Sequence, residues 1–231
     1  MQDIKVIGFD ADDTLWINED YYRDNEKKFA QLLKDYGEED KILESLFETE
    51  MRNLKLFGYG IKPFMISMVE TAIRISGSTV DPQVISTILE MGREMLNAPV
   101  ILFPDVKMVL EKLFGNYTLI VATKGDLLDQ ENKLRRSSLS SYFHHIEVMS
   151  DKTRSSYTEL LKHLEIAPSQ FVMVGNSLRS DILPPYELGC YTIQVPYDKT
   201  WQHEMNVEEI PEDKRFHKVQ NLGEILEIIP L

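Results

Sequence analysis

The spacing of apolar and polar positions changes character twice along the chain. Val6, Ile7 and Phe9 make a short apolar run of the kind that forms a buried strand. From about residue 18 to 97 the period becomes helical. Tyr22, Phe29, Leu32, Leu33 and Tyr36 fall three, four and seven apart, and Gly37 offers a stop. Ile42, Leu43, Leu46, Phe47, Met51 and Leu54 make a second stripe, closed by Gly58 and Gly60. Phe64, Met65, Met68, Val69, Ala72, Ile73 and Ile75 make a third. Asp81-Pro82, an N-cap followed by proline at the first helical position, starts a fourth that carries Val84, Ile85, Ile88, Leu89, Met95 and Leu96. The methionines of this region read as core filler.

From about residue 98 strands and helices alternate. A helix capped by Asp105 carries Val106, Val109, Leu110 and Leu113. Strands are predicted at Tyr117 to Ala122, His145 to Met149, Phe171 to Val174 and Cys190 to Val195. Helices are predicted at 126–138, 155–164, 181–188 and 222–229. Alternation of this kind gives βαβ units and a parallel sheet with helices on both faces. The predicted fold is therefore α/β: a doubly wound, Rossmann-like core from residues 1–17 and 98–231, interrupted after its first strand by a small helical-bundle domain at 18–97.

Composition narrows the function. Of 231 residues 43% are apolar, enough for a core, and 38 acids against 25 bases give a formal net charge of −13. Such a surface repels phosphate backbones, which argues against a nucleic-acid partner. No apolar run approaches the length of a membrane span, and no signal peptide is evident. The single cysteine, Cys190, can form no intramolecular disulfide and reads as core packing. A cytoplasmic protein, monomer or homodimer, is the expectation.

The chemistry lies at the strand ends. Asp10 and Asp12 follow the first strand, with Thr14 beyond. Two carboxylates this close repel, so either a cation lies between them or one is protonated. A plainer reading is an Asp-rich turn in which Asp12 or Asp13 caps backbone groups. Thr123, Lys124 and Gly125 follow the second strand, Lys152 the third, and Asn176, Ser177 and Asp181 the fourth. In a parallel sheet these ends share one edge, which would gather acids, a hydroxyl and a lysine around a phosphoryl group and a divalent cation. Taken singly, Asp181 could merely cap a helix and Lys152 could be a surface lysine.

This order and spacing resemble the haloacid dehalogenase-like hydrolase superfamily over nearly the whole chain. Asp10-Ala11-Asp12-Asp13-Thr14 matches its first motif, Asp-x-Asp-x-Thr. The strand ending at Thr123 matches the second, and Lys152 the third. Gly175-Asn176-Ser177-Leu178-Arg179-Ser180-Asp181 matches the fourth, with Asn176 where an acid is usual. The helical segment stands where the superfamily places a cap of the first type. The resemblance implies that Asp10 is a nucleophile forming an aspartyl-phosphate and that Asp12 is general acid and then base. It implies Mg2+ held by Asp10, the backbone carbonyl of Asp12, Asn176 and Asp181, with Thr123, Lys124 and Lys152 on the phosphoryl oxygens. Dehalogenases of this fold lack an acid at the position of Asp12, so the resemblance favours a Mg2+-dependent phosphomonoester hydrolase acting on a small soluble phosphorylated metabolite. The run Phe9 to Leu15 is similar to nucleotidase-like members, which points toward a nucleotide or FMN, and a sugar phosphate is also compatible. The departure at Asn176 keeps open a non-catalytic phosphate-ligand binder, and the fold a phosphomutase. Trp16, Tyr21, Tyr22, Arg52 and Lys55 are candidates to meet the leaving group.

Overall fold

A computed structural model of the chain describes residues 3–199, 201–204 and 213–230. The chain divides into two compact units. Among the described residues, the first comprises those of 1–19, 100–124 and 130–231, and the second those of 20–99 and 125–129.

The first unit is built on six parallel strands: β1 (Val6–Phe9), β2 (Thr118–Lys124), β3 (His145–Met149), β4 (Phe171–Gly175), β5 (Tyr191–Gln194) and β6 (Phe216–Lys218). Their spatial order is β3-β2-β1-β4-β5-β6. β1 is thus central, and the order reverses between β1 and β4, where open α/β sheets leave a crevice at the carboxyl ends. The strands carry apolar residues on both faces, as a sheet covered on two sides requires. Ile7, Phe9, Leu119, Val121, Val172, Val174 and Ile193 pack with Val106, Val109, Leu110 and Leu113 of a helix at Val106–Leu113. Val6, Ile120, Ala122, Phe171 and Met173 pack on the other face with Tyr157, Leu160 and Leu161 of a helix at Arg154–His163. Gly8 lies on that second face, where a Cβ would come within 2.6 Å of the Phe171 ring. Strand periodicity therefore assigns each residue of β1 to one of two cores.

Some expectations change. β6 is three residues long and lacks the apolar alternation that marks a strand. Cys190 is buried but sits just before β5. The predicted helix at 181–188 begins as a π-helical turn at Leu178–Ile182 and continues as α-helix at Leu183–Leu188. The predicted helix at 222–229 is a 3-10 turn, Leu222–Glu224, followed by one α-helical turn, Ile225–Ile228.

The second unit is made of α1 (Glu19–Leu32), α2 (Glu39–Phe57), α3 (Ile61–Ile75) and α4 (Pro82–Asn97). Phe29, Leu33, Ile42, Leu46, Phe64, Met68, Ile88, Met91 and Met95 form its core. Asp81 caps α4 by accepting from the Gln83 N–H at 2.8 Å. Gly92 lets α3 and α4 approach: a Cβ there would lie 2.5 Å from the Met65 sulfur. Residues 125–129 belong to this unit because Lys62 pairs with Asp126 at 2.8 Å and the backbone of Gly60 runs beside Asp126. Its α2–α3 contact is polar as well as apolar. The buried Thr71 hydroxyl donates to Thr49 (2.9 Å), and the Asn53 amide to Ser67 (3.1 Å).

Candidate active site

The strand register sets the geometry. Phe9 lies opposite Val121 on one side and Val174 on the other, so Asp10, Thr123 and Asn176 emerge at neighbouring strand ends. The Asp10 N–H still bonds the Val174 carbonyl at 2.8 Å, which holds the residue at the sheet edge. The chain then folds into a tight turn on the Ala11 carbonyl, which accepts from the Leu15 N–H at 2.8 Å. Asp13 takes a left-handed φ of 61° there, which aspartate tolerates better than most side chains. Its carboxylate accepts from the backbone N–H groups of Asn18 (2.9 Å) and Glu19 (3.1 Å), so the capping role belongs to Asp13. Burial pushes the Asp13 carboxyl up to about 8 against those bonds.

The first cluster is centred on Lys152. Its ammonium donates to Asp10 Oδ1 at 2.5 Å and to Asp181 Oδ1 at 2.6 Å, and all three side chains are buried. Lys152 immediately precedes Thr153, the N-cap of the helix at Arg154–His163, which fixes its stem at the sheet edge. Asp181 reaches back because the π-helical turn folds onto β4. Its Oδ2 accepts from the Ser177 N–H at 2.9 Å. Only glycine fits at 175, since a Cβ would lie 2.4 Å from the Asp181 carboxylate. The Thr14 hydroxyl stands 3.1 Å from Asp10 Oδ2 and 3.4 Å from Asn176 Oδ1, bringing both oxygens around one hydroxyl. Burial, and then the Asp181 carboxylate, push the Asp10 carboxyl up to about 7 against the pull of Lys152. Burial alone would lower the Lys152 ammonium, but Asp10 and Asp181 raise it.

Asp12 belongs to a second cluster. Its Oδ1 accepts from the Trp16 indole N–H (2.7 Å) and the Lys133 ammonium (3.0 Å), and its Oδ2 from the Gln130 amide (2.7 Å). Gln130 also donates to the Lys124 carbonyl at 2.8 Å and lies 3.4 Å from the Thr123 hydroxyl. Both amide hydrogens are used on that side, and the buried Gln130 Oε1 is left without a partner. A buried unsatisfied acceptor costs about 1–3 kcal/mol, so the amide's orientation serves its two acceptors at the expense of stability. Trp16, 1% exposed and bonded to Asp12, has no face free for a ligand.

Lys124 forms a third cluster. Its ammonium donates to Glu204 Oε1 at 2.6 Å and Ser180 Oγ at 2.9 Å. Glu204 also accepts from the hydroxyls of Ser180 (2.7 Å) and Ser177. Burial would raise the Glu204 carboxyl, but Lys124 and the two hydroxyls hold it down to about 2. A carboxylate depressed on folding contributes stability above its unfolded pKa and loses it as pH falls through the folded value. Between the ordinary 4.5 and about 2 the linkage amounts to about 3 kcal/mol. Glu204→Gln is therefore expected to lose up to about 3 kcal/mol at pH 7 by urea unfolding, with the gap to wild type closing toward pH 2.

Of the residues singled out in the sequence, Asp10, Lys152, Asn176 and Asp181 converge with Thr14. Asp12, Thr123 and Lys124 stand at the same edge but face other partners. Arg52, a candidate for leaving-group contact, pairs with Glu70 at 3.1 Å, and the Tyr21 hydroxyl donates to the Pro99 carbonyl. Gln130, Lys133 and Glu204 were missed. Polarity hid the first two: on the helix Leu127–Arg136, Leu127 and Leu128 are exposed while Gln130 and Lys133 are buried, the reverse of what their side chains predict. Glu204 lies in a single 3-10 turn, Gln202–Glu204, and carries no comparable pattern.

A divalent cation fits the first cluster by the chemistry of its donors. Asp10, Asp181 and the Asn176 amide supply hard oxygens, and the mutual repulsion of the two buried carboxylates is what a cation relieves. No group of three His, Cys, Asp or Glu side chains suited to a metal occurs among the described residues, so this site needs the amide oxygen as well.

Comparison with known proteins agrees with this architecture. No curated protein matches the chain. A solved haloacid dehalogenase-like family hydrolase from Xanthomonas campestris is 37% identical, with a TM-score of 0.86, over 96% of this chain and 88% of that one. A 2-haloacid dehalogenase from Pseudomonas syringae pv. tomato shares the fold at 22% identity and a TM-score of 0.64, covering 97% of each chain. A predicted phosphoglycolate phosphatase from Haemophilus somnus does so at 20% identity and 0.64, covering 99% of each. The model of a hydrolase family, haloacid dehalogenase-like hydrolase, matches residues 4–184, a span that includes all four sequence motifs. With that match and the Asp10–Lys152–Asp181 cluster at the sheet's switch point, this chain belongs to the haloacid dehalogenase-like hydrolases.

Proposed function

We propose that the protein is a Mg2+-dependent phosphomonoester hydrolase acting on a small soluble phosphorylated metabolite. The observation that carries this reading is the pair of buried carboxylates, Asp10 and Asp181, sharing one ammonium, with a second aspartate two residues past the first. Asp10 attacks phosphorus and takes the phosphoryl group as an aspartyl-phosphate, dividing one hard displacement into two. Lys152 keeps the attacking oxygen oriented and lies beside the charge that moves onto the phosphoryl oxygens. Thr123 lies near the end of the adjacent strand at the anion-binding edge, and Lys124 would join it only by leaving Glu204 and Ser180. Asp12 is the proton-exchanging group for the leaving oxygen and the resolving water. Asp10, Asn176, Asp181 and the Asp12 carbonyl would hold Mg2+, which supplies charge neutralisation between carboxylate and phosphate.

The test is phosphate release across a panel of phosphorylated metabolites with Mg2+ and with chelator. Turnover that requires Mg2+ supports the reading, and ligand binding without turnover at saturating Mg2+ refutes it. Asn176→Asp adds an anion to the donor set. It is expected to lower the Mg2+ concentration for half-maximal activity by about tenfold, the equivalent of one charge-assisted contact of about 1.4 kcal/mol.

A further inference from the structure

We propose that Glu204 is a positioning residue for the divalent cation: through the Ser177 and Ser180 hydroxyls, its carboxylate holds the turn that carries Asn176 and Asp181 in its ligating shape. The inference deepens the Mg2+ reading and rests on it. Glu204 lies beyond residues 4–184, outside all four motifs. The turn it touches needs support. Leu178–Ile182 is π-helical, a rare form found mostly as single turns. Glu204 Oε2 accepts from the Ser180 hydroxyl at 2.7 Å and from the Ser177 hydroxyl. Both contacts lead to the candidate ligands. The Ser177 N–H donates to Asp181 Oδ2 at 2.9 Å, and Ser177 follows Asn176 in the chain. The Ser180 N–H donates to Ser177 Oγ at 3.1 Å, which ties the two serines to each other.

Other groups hold this turn by its backbone. The Tyr157 hydroxyl donates to the Ser180 carbonyl at 3.1 Å, and the Gln194 amide to the Asn176 carbonyl at 3.1 Å. Glu204 holds the hydroxyls, and it does so with a charge. Bonds to an ionised acceptor are roughly twice as strong as neutral ones. Its own position is set by Lys124, whose ammonium donates to Oε1 at 2.6 Å from the end of β2. Against burial, Lys124 and the two hydroxyls hold the Glu204 carboxyl down to about 2, so it is ionised at neutral pH. β1, which delivers Asp10, lies between β2 and β4. One carboxylate thus links the ends of the two strands that flank the Asp10 strand.

The experiment measures Mg2+ binding to the full chain without substrate, by displacement of Mn2+, whose free form is counted by paramagnetic resonance. Removing the group that orients a metal ligand costs about 10- to 100-fold in affinity. Glu204→Ala is expected to raise the Mg2+ Kd at least about tenfold. Glu204→Gln, whose amide still bonds the hydroxyls at about half the strength, is expected to raise it about threefold. A loss due to charge alone would be equal in the two variants. A role in folding alone would lower the urea midpoint and leave the Kd unmoved. Glu204→Ala binding as tightly as wild type, or Glu204→Gln binding as weakly as Glu204→Ala, overturns this proposal and leaves the Mg2+ reading intact. A wild type that takes up no Mg2+ overturns both. Should Glu204→Ala fail to fold, Ser180→Ala decides. It removes one hydroxyl from Glu204 and is expected to raise the Kd about threefold, and an unchanged Kd overturns the proposal.

Discussion

Asp10→Asn is expected to lower kcat/KM by at least about a thousandfold without weakening the fold. The loss follows from chemistry: an amide oxygen is a poor nucleophile toward phosphorus. The retained fold follows from electrostatics. Burial and Asp181 push the Asp10 carboxyl up to about 7. An acid raised in this way contributes stability below its unfolded pKa and loses it as pH rises through the folded value. Asparagine carries no such loss and can still accept from Lys152. At pH 8 the variant should therefore unfold at an equal or higher urea concentration than wild type, while turnover disappears. A variant that is both inactive and unstable at pH 8 would assign Asp10 a structural role instead.

Lys152→Met has the largest expected effect on stability. It removes the one ammonium bonded to both Asp10 and Asp181 and leaves two carboxylates buried without their shared cation. Breaking a buried pair from one side costs about 3–5 kcal/mol, and here two partners are stranded. The sign with pH is that of an ordinary acid-labile ion pair. Without the ammonium Asp10 loses the partner that holds its carboxyl down, so the deficit should grow as pH rises and shrink toward pH 4. Lys152→Arg should not restore activity, because a planar fork cannot replace a point charge in a space that leaves Lys152 1% exposed. Urea midpoints from pH 4 to 8 check the stability claim, and kcat/KM checks the chemistry.

Much of this was legible because parallel sheets are punctuated plainly. β1, β2 and β4 are apolar runs buried on both faces, β3 is a partly buried edge strand, and each is followed by polar residues of the site. The helical stretch between β1 and β2 shows clear periodicity, and its apolar stripes form one core. What stayed hidden has physical causes. β6, Phe216–Lys218, is an edge strand only three residues long, and such a strand has no need of alternation. The π-helical turn at Leu178–Ile182 has no period that a short window can detect, yet it carries Asp181 back onto Gly175. Gln130 and Lys133 sit on a helix whose leading leucines are exposed, so polarity pointed outward while the structure turned both side chains inward to Asp12. Local pattern and burial disagree there because the buried partner is a carboxylate brought in from a distant strand, a conflict that functional sites tolerate.

The most direct test of the account is the chemical identity of the intermediate. Wild-type protein mixed with a turned-over aryl phosphate and Mg2+, quenched in acid within one turnover and digested, is predicted to show a phosphoryl group on the peptide that contains residue 10, and Asp10→Asn is predicted to show none. Phosphate released by wild type at full rate with no label on that peptide at any quench time would contradict the central claim that Asp10 is the nucleophile.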